Sequence, residues 1–186
     1  MNTIPLQWLV ASAVVVIALL ATAVWFFSQR KKQSERLQRR FGPEYTRTIG
    51  ELGGRTKAES ELKARERRVE QCTIIPLAPG EAARFSQAWN ALRGRFVDNP
   101  KGVVVQADQL VRELMLKRGY PMGDFDHRAA DISVDHPAVV ENYRAAQAIT
   151  VRDERGEADT EELRKAVVHY RVLFDDLLEV REAAHA

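Results

Sequence analysis

Trp8-Leu-Val-Ala-Ser-Ala-Val-Val-Val-Ile-Ala-Leu-Leu-Ala-Thr-Ala-Val-Trp-Phe-Phe27 is the stretch that sets the plan of this chain. No Asp, Glu, Lys or Arg occurs before Arg30. An α-helix rises about 1.5 Å per residue, so about 20 apolar residues span a hydrocarbon core of about 30 Å. Trp8 stands at one end and Trp25, Phe26 and Phe27 at the other, where aromatic rings favour the headgroup level. The run therefore predicts one transmembrane helix, with residues 1–28 as an anchor.

A basic collar follows at once: Arg30, Lys31, Lys32, Arg36, Arg39 and Arg40. Basic residues beside a span stay on the cytoplasmic side, which places the N-terminus outside and the rest of the chain in the cytoplasm. Ala21-Thr22-Ala23 has the small residues of a signal-peptide cleavage site. A cleaved signal would carry a positive n-region and a shorter apolar run, so a retained anchor is the expectation. From Gln29 to Cys72 there are 13 Lys/Arg against 7 Asp/Glu, and from Thr73 onward 15 against 19. Positive charge thus lies beside the anchor, where the six collar residues are expected to contact anionic headgroups. Few aromatics accompany them, so no specific nucleic-acid partner is expected. Cys72 is the only cysteine, and no internal disulfide can form.

Residues 29–72 read as collar and charged helical stalk. Phe41-Gly-Pro43 breaks the collar, and Gly53-Gly54 marks a second break. Beyond it, Glu59/Lys63 and Glu61/Arg65 are i,i+4 pairs with the acid first, as on a solvated helix. Ala58, Leu62 and Val69 form a thin apolar stripe that suits a parallel homodimer, but Arg65 stands where the stripe needs an apolar residue.

Residues 73–186 read as a compact, cytoplasmic domain, a small all-α bundle of about four helices. Phe85, Trp89, Leu92 and Phe96 give one face of a helix over about 80–97. Asn99-Pro100 is a cap followed by a proline suited to the first turn, and Gly119 supplies a left-handed end. Residues 120–134 read as an irregular loop, with a third helix starting near His136-Pro137. Asp159 and Glu162 have capping-box spacing, and Leu163, Val167, Tyr170, Phe174 and Leu177 follow on one face.

The blocks Arg95-Phe-Val-Asp-Asn-Pro100, Ala107-Asp-Gln-Leu-Val111, Arg118-Gly-Tyr-Pro121 and Asp131-Ile-Ser-Val-Asp-His-Pro137 are familiar as a set. On them the chain resembles a family of uncharacterised bacterial single-pass membrane-anchored proteins with no established activity. The resemblance covers the anchor and most of the domain. It implies architecture and brings no catalytic residues with it.

The polar cluster of interest is Asp124, Asp126, His127, Asp131, Asp135 and His136. It matches no metal-ligand template, and capping accounts for Asp135 and His136 if they open a helix. No catalytic residue, metal or cofactor is therefore expected. If the cluster did form a site, His127, Asp131 and His136 would be its members. The functional expectation is a membrane-tethered interaction or scaffold protein with an unidentified protein partner. An anchored enzyme using loop 120–136 and a purely structural linker are the alternatives.

Overall fold

A computed structural model describes residues 6–178, with side chains described from residue 19. The described residues form eight α-helices and no strand, so the chain is all-α as expected. They divide into two compact units at the Arg40/Phe41 boundary.

The first unit is dominated by α1, Leu6–Phe41. Among the described residues no helix is long and apolar enough to cross a membrane. Residues 8–18 of the expected span lie outside those whose side chains are described. From Leu19 to Phe27 the described apolar side chains stand exposed. Arg30 lies over the Phe26 ring at 4.4 Å, where the apolar face gives way to the collar.

The second unit holds α2 (Pro43–Leu52), α3 (Arg55–Glu70), α4 (Pro79–Gly94), α5 (Pro100–Arg118), α6 (Phe125–Asp135), α7 (Val140–Glu154) and α8 (Thr160–Leu177). Five of these, α4 to α8, lie in residues 73–178, where about four helices were expected, and α2 and α3 precede them. Helix α8 packs on α5 and α7, α4 covers α5, α6 joins α7, and α3 lies between α2 and α6. The core sits around α8, whose Tyr170, Leu173, Phe174 and Leu177 are fully buried.

Local chemistry explains the helix ends that the sequence predicted. Asn99 Oδ1 accepts from the Gly102 N–H at 2.9 Å and caps α5. Gly119 closes α5 at φ 88°. At α8 the Glu162 N–H donates to Asp159 at 2.8 Å and Glu162 Oε2 accepts from the Asp159 N–H at 3.1 Å, completing the capping box.

Three expectations are corrected. First, 55–71 is not a solvated stalk. Ala58 and Leu62 are fully buried and Val69 nearly so, leaving no exposed apolar seam on α3 for a homodimer. Arg65, the apparent interruption of that stripe, is buried because it donates to Glu44 of α2 at 2.7 Å. Arg144 of α7 grips the same carboxylate at 2.7 and 2.8 Å, and Glu44 is wholly buried. Second, 120–134 is not irregular throughout. Asp124 Oδ1 accepts from the His127 N–H at 2.9 Å and starts α6 there. Third, Asp135 and His136 close α6 rather than open the next helix. Pro137 disfavours helical angles at the residue before it, and His136 accordingly takes φ −125° and ψ 50°. The aromatic face of α4 also ends early, leaving Phe96 beyond Gly94 and packed at the core's edge.

Candidate functional site

Three helices end around one cavity. Arg118 is the last residue of α5, Asp135 the last of α6, and Asp176 the last but one of α8. The connector 71–78 crosses the α5 end, where the Ile75 N–H donates to the Arg118 carbonyl at 2.9 Å. Arg118 answers with Nη1 to the Leu177 carbonyl at 3.0 Å and a longer Nε contact to the Ile75 carbonyl at 3.4 Å. The connector's close seat depends on Gly119. A Cβ there would lie 2.4 Å from the Thr73 carbonyl oxygen, and its φ is already in the left-handed region. Gly119→Ala should therefore destabilise the chain by more than the about 1–2 kcal/mol of a left-handed alanine. Thermal melting of the two proteins checks this, and an unchanged midpoint would show that the connector yields freely.

The cavity has a volume of about 440 Å³ and is lined by Ile74 and Pro76 on one side. Arg118, Tyr120, Asp135, His136 and Asp176 supply its polar wall. These side chains form a chain of bonds. His136 Nδ1 meets Asp176 Oδ2 in a very short contact. His136 Nε2 lies 3.1 Å from the Tyr120 hydroxyl, which donates to Asp135 Oδ2 at 3.0 Å.

Donor counting fixes what this chain can do. A carboxylate only accepts, so Nδ1 must carry a proton toward Asp176. The phenol has one proton. While it goes to Asp135, Nε2 must donate to the phenol oxygen, and the ring holds two protons. With a singly protonated ring, the phenol must turn its proton to Nε2 and release Asp135. Burial, and then the adjacent Asp135 charge, push the Tyr120 phenol far above its ordinary value. Tyr120 thus keeps its proton and acts as a hydrogen-bond donor within this chain of contacts.

The expected site residues go to separate places. Arg30, Lys31, Lys32, Arg36 and Arg39 are exposed on α1, and Arg40 is half-buried. His127 stays at the exposed start of α6, with Nδ1 2.8 Å from its capping Asp124. Asp131 is buried and accepts from Arg68 of α3 at 3.0 Å. Only His136 and Asp135 reach the cavity. His127 and His136 are nine positions apart, about 13 Å of helical rise, which is too far for one ion. Among the described residues no group of three or more His, Cys, Asp or Glu is placed to hold a metal.

Sequence reasoning missed Asp176. A signal was present: Asp175-Asp176 fall in the last turn of α8, which has no basic residue there. Acids at a helix C-terminus oppose the dipole, so such a pair asks for a cation from elsewhere. Arg118, in the last turn of α5, also ties two other segments together through its side chain. The chain matches no family model, no curated protein and no solved structure.

Proposed function

We propose that the chain is a membrane-tethered interaction module, held by α1 and working through the helical unit that follows. The carrying observation is the outer face of α1. Leu19, Leu20, Val24, Trp25, Phe26 and Phe27 are between 49% and 69% exposed, directly before the basic collar. Apolar area in water costs about 25 cal/mol per Å², and a continuous patch marks a surface that another phase or molecule covers. A bilayer with anionic headgroups covers both parts, taking the apolar run in its core and Arg30 to Arg40 at its surface. The same asymmetry supports an outside N-terminus and a cytoplasmic C-terminal unit. A resemblance to bacterial single-pass anchored proteins fits this reading.

The test uses the full chain in a bacterial envelope. It should stay in the membrane pellet through alkaline extraction, and a periplasm-dependent reporter fused after Ala186 should be silent. Replacing Lys31, Lys32, Arg39 and Arg40 by Gln should raise reporter activity, because the charge that fixes orientation is weakened. Release into the alkaline supernatant would sink the tether. Strong activity from the unaltered chain would reverse its orientation.

A further inference from the structure

We propose that Asp176, His136, Tyr120 and Asp135 form a proton-operated latch between the ends of α8 and α6, closed while the His136 ring carries two protons and open at the Tyr120–Asp135 link when it carries one. Proton supply decides the state. The chain has three links, and each needs one N–H or O–H. A doubly protonated ring gives Nδ1–H to Asp176 and Nε2–H to the phenol oxygen, and the phenol gives its own proton to Asp135. Removing the Nε2 proton leaves two protons for three links, so one link must break. An imidazole ordinarily titrates at about 6.5, within the range a living cell visits. Burial holds the Tyr120 phenol far above its ordinary value, so it keeps its proton throughout. Carboxyls ordinarily lose theirs at about 4.

The geometry picks the link that breaks. The His136 side chain is only 11% exposed, is held at Nδ1 by Asp176 and sits edge-on to the Tyr120 ring at 6.1 Å. The ring therefore has no free path away from the phenol. A bare Nε2 and the phenol oxygen would face one another at 3.1 Å with no proton between them. Turning the hydroxyl removes that repulsion without moving a heavy atom. Asp135 then loses a donor, but the residue is exposed, and water replaces what the phenol withdraws. The link that opens is the one whose acceptor solvent can reach.

Four polar groups face the ring: Arg118 from α5, Tyr120 from the segment after it, Asp135 from the end of α6 and Asp176 from α8. The connector contributes only Ile74 and Pro76. Opening the latch removes a tie at the end of α6, the helix that packs on both α3 and α7. Asp131 of the same helix accepts from Arg68 of α3. Ring protonation thus acts on the seam between the α2–α3 pair and the rest of the unit, a local charge change with a wider readout. The latch is independent of the membrane reading.

The experiment follows the full chain in zwitterionic detergent by NMR from about pH 5 to about pH 8, with His136→Gln used to assign the ring. Above the His136 midpoint the ring-nitrogen signals should show Nδ1 protonated and Nε2 bare. The Asp135 carboxyl-carbon signal should step at that same midpoint. An Nε2–H tautomer, or no step at Asp135, overturns the proposal. Tyr120→Phe keeps the aromatic ring and removes the proton, so the step should be lost. A step that persists there reports only the field of the imidazolium, and also overturns the latch. Denaturant unfolding gives a second readout. In a double-mutant cycle, Tyr120→Phe and Asp135→Asn should be coupled by about tenfold in the folding equilibrium constant at the acid end, the scale of a hydrogen bond to a charged group. The coupling should vanish at the alkaline end, and equal coupling at both ends overturns the proposal. If a variant misfolds, the tautomer and the Asp135 step of the unaltered chain decide.

Discussion

Trp89→Ala is expected to remove about 3–5 kcal/mol of stability, the range for deleting a large buried aromatic. Trp89 is wholly inaccessible and stacks on Phe174 with centroids 4.6 Å apart and planes at 30°. Those two rings join α4 to α8, and Arg171 adds a guanidinium 5.5 Å from the indole centroid. Truncation would leave a cavity whose lining is held by two packed helices and collapses poorly. For a domain of this size the melting midpoint should fall by about 2–4 °C for each kcal/mol lost. Trp89→Phe should be much milder. The buried indole N–H has no hydrogen-bond partner among the described residues, so replacing it removes an unsatisfied donor along with some packing. A small effect of Trp89→Ala would mean that α4 contributes little to the fold.

Glu44→Ala should cost a similar amount, about 3–5 kcal/mol, for the opposite kind of reason. Nothing apolar is lost. Instead Arg65 and Arg144, whose side chains are only 8% and 15% exposed, would keep their charges without the carboxylate between them. Breaking a buried ion group is far costlier than never having it, because desolvation is not offset. The combined replacement Glu44→Leu, Arg65→Met and Arg144→Leu should therefore regain most of what Glu44→Ala loses. Denaturant melts of the two variants beside the parent decide it. A near-neutral Glu44→Ala would show that water or neighbouring acids such as Glu61 and Glu141 compensate the arginines.

These two sites also show what a sequence discloses and what it hides. Trp89 was legible because Phe85, Trp89 and Leu92 recur at helical spacing, and periodicity is local. Asn99, Gly119 and Asp159 were legible for the same reason, since each acts on backbone within a few residues. Glu44 was not. Its partners lie 21 and 100 positions away, and a charged residue whose partner is remote looks solvated. Arg65 did leave a trace, as the one charge in an otherwise apolar stripe. Helix α6 was hidden by Pro121 and Gly123 before it and Pro137 after it, which made the whole stretch read as loop. Of the cavity, His136 and Asp135 were marked as polar candidates. Asp176 was not, because only the tertiary fold brings the end of α8 to the end of α6.

The Glu44–Arg144 pair has a consequence in time. At about 5–20 residues per second, the ribosome makes Arg144 roughly 5–20 s after Glu44, since the two lie 100 residues apart. For most of that interval α2 and α3 can meet, and Arg65 can reach Glu44, while Arg144 has not been synthesised and Asp131 comes only near its end. The nascent N-terminal pair must then wait with its hydrophobic and ionic faces uncovered, exposed to chaperones and proteases. Closure of the unit is a late event, set by the arrival of α6 and α7 rather than by the speed with which any helix forms.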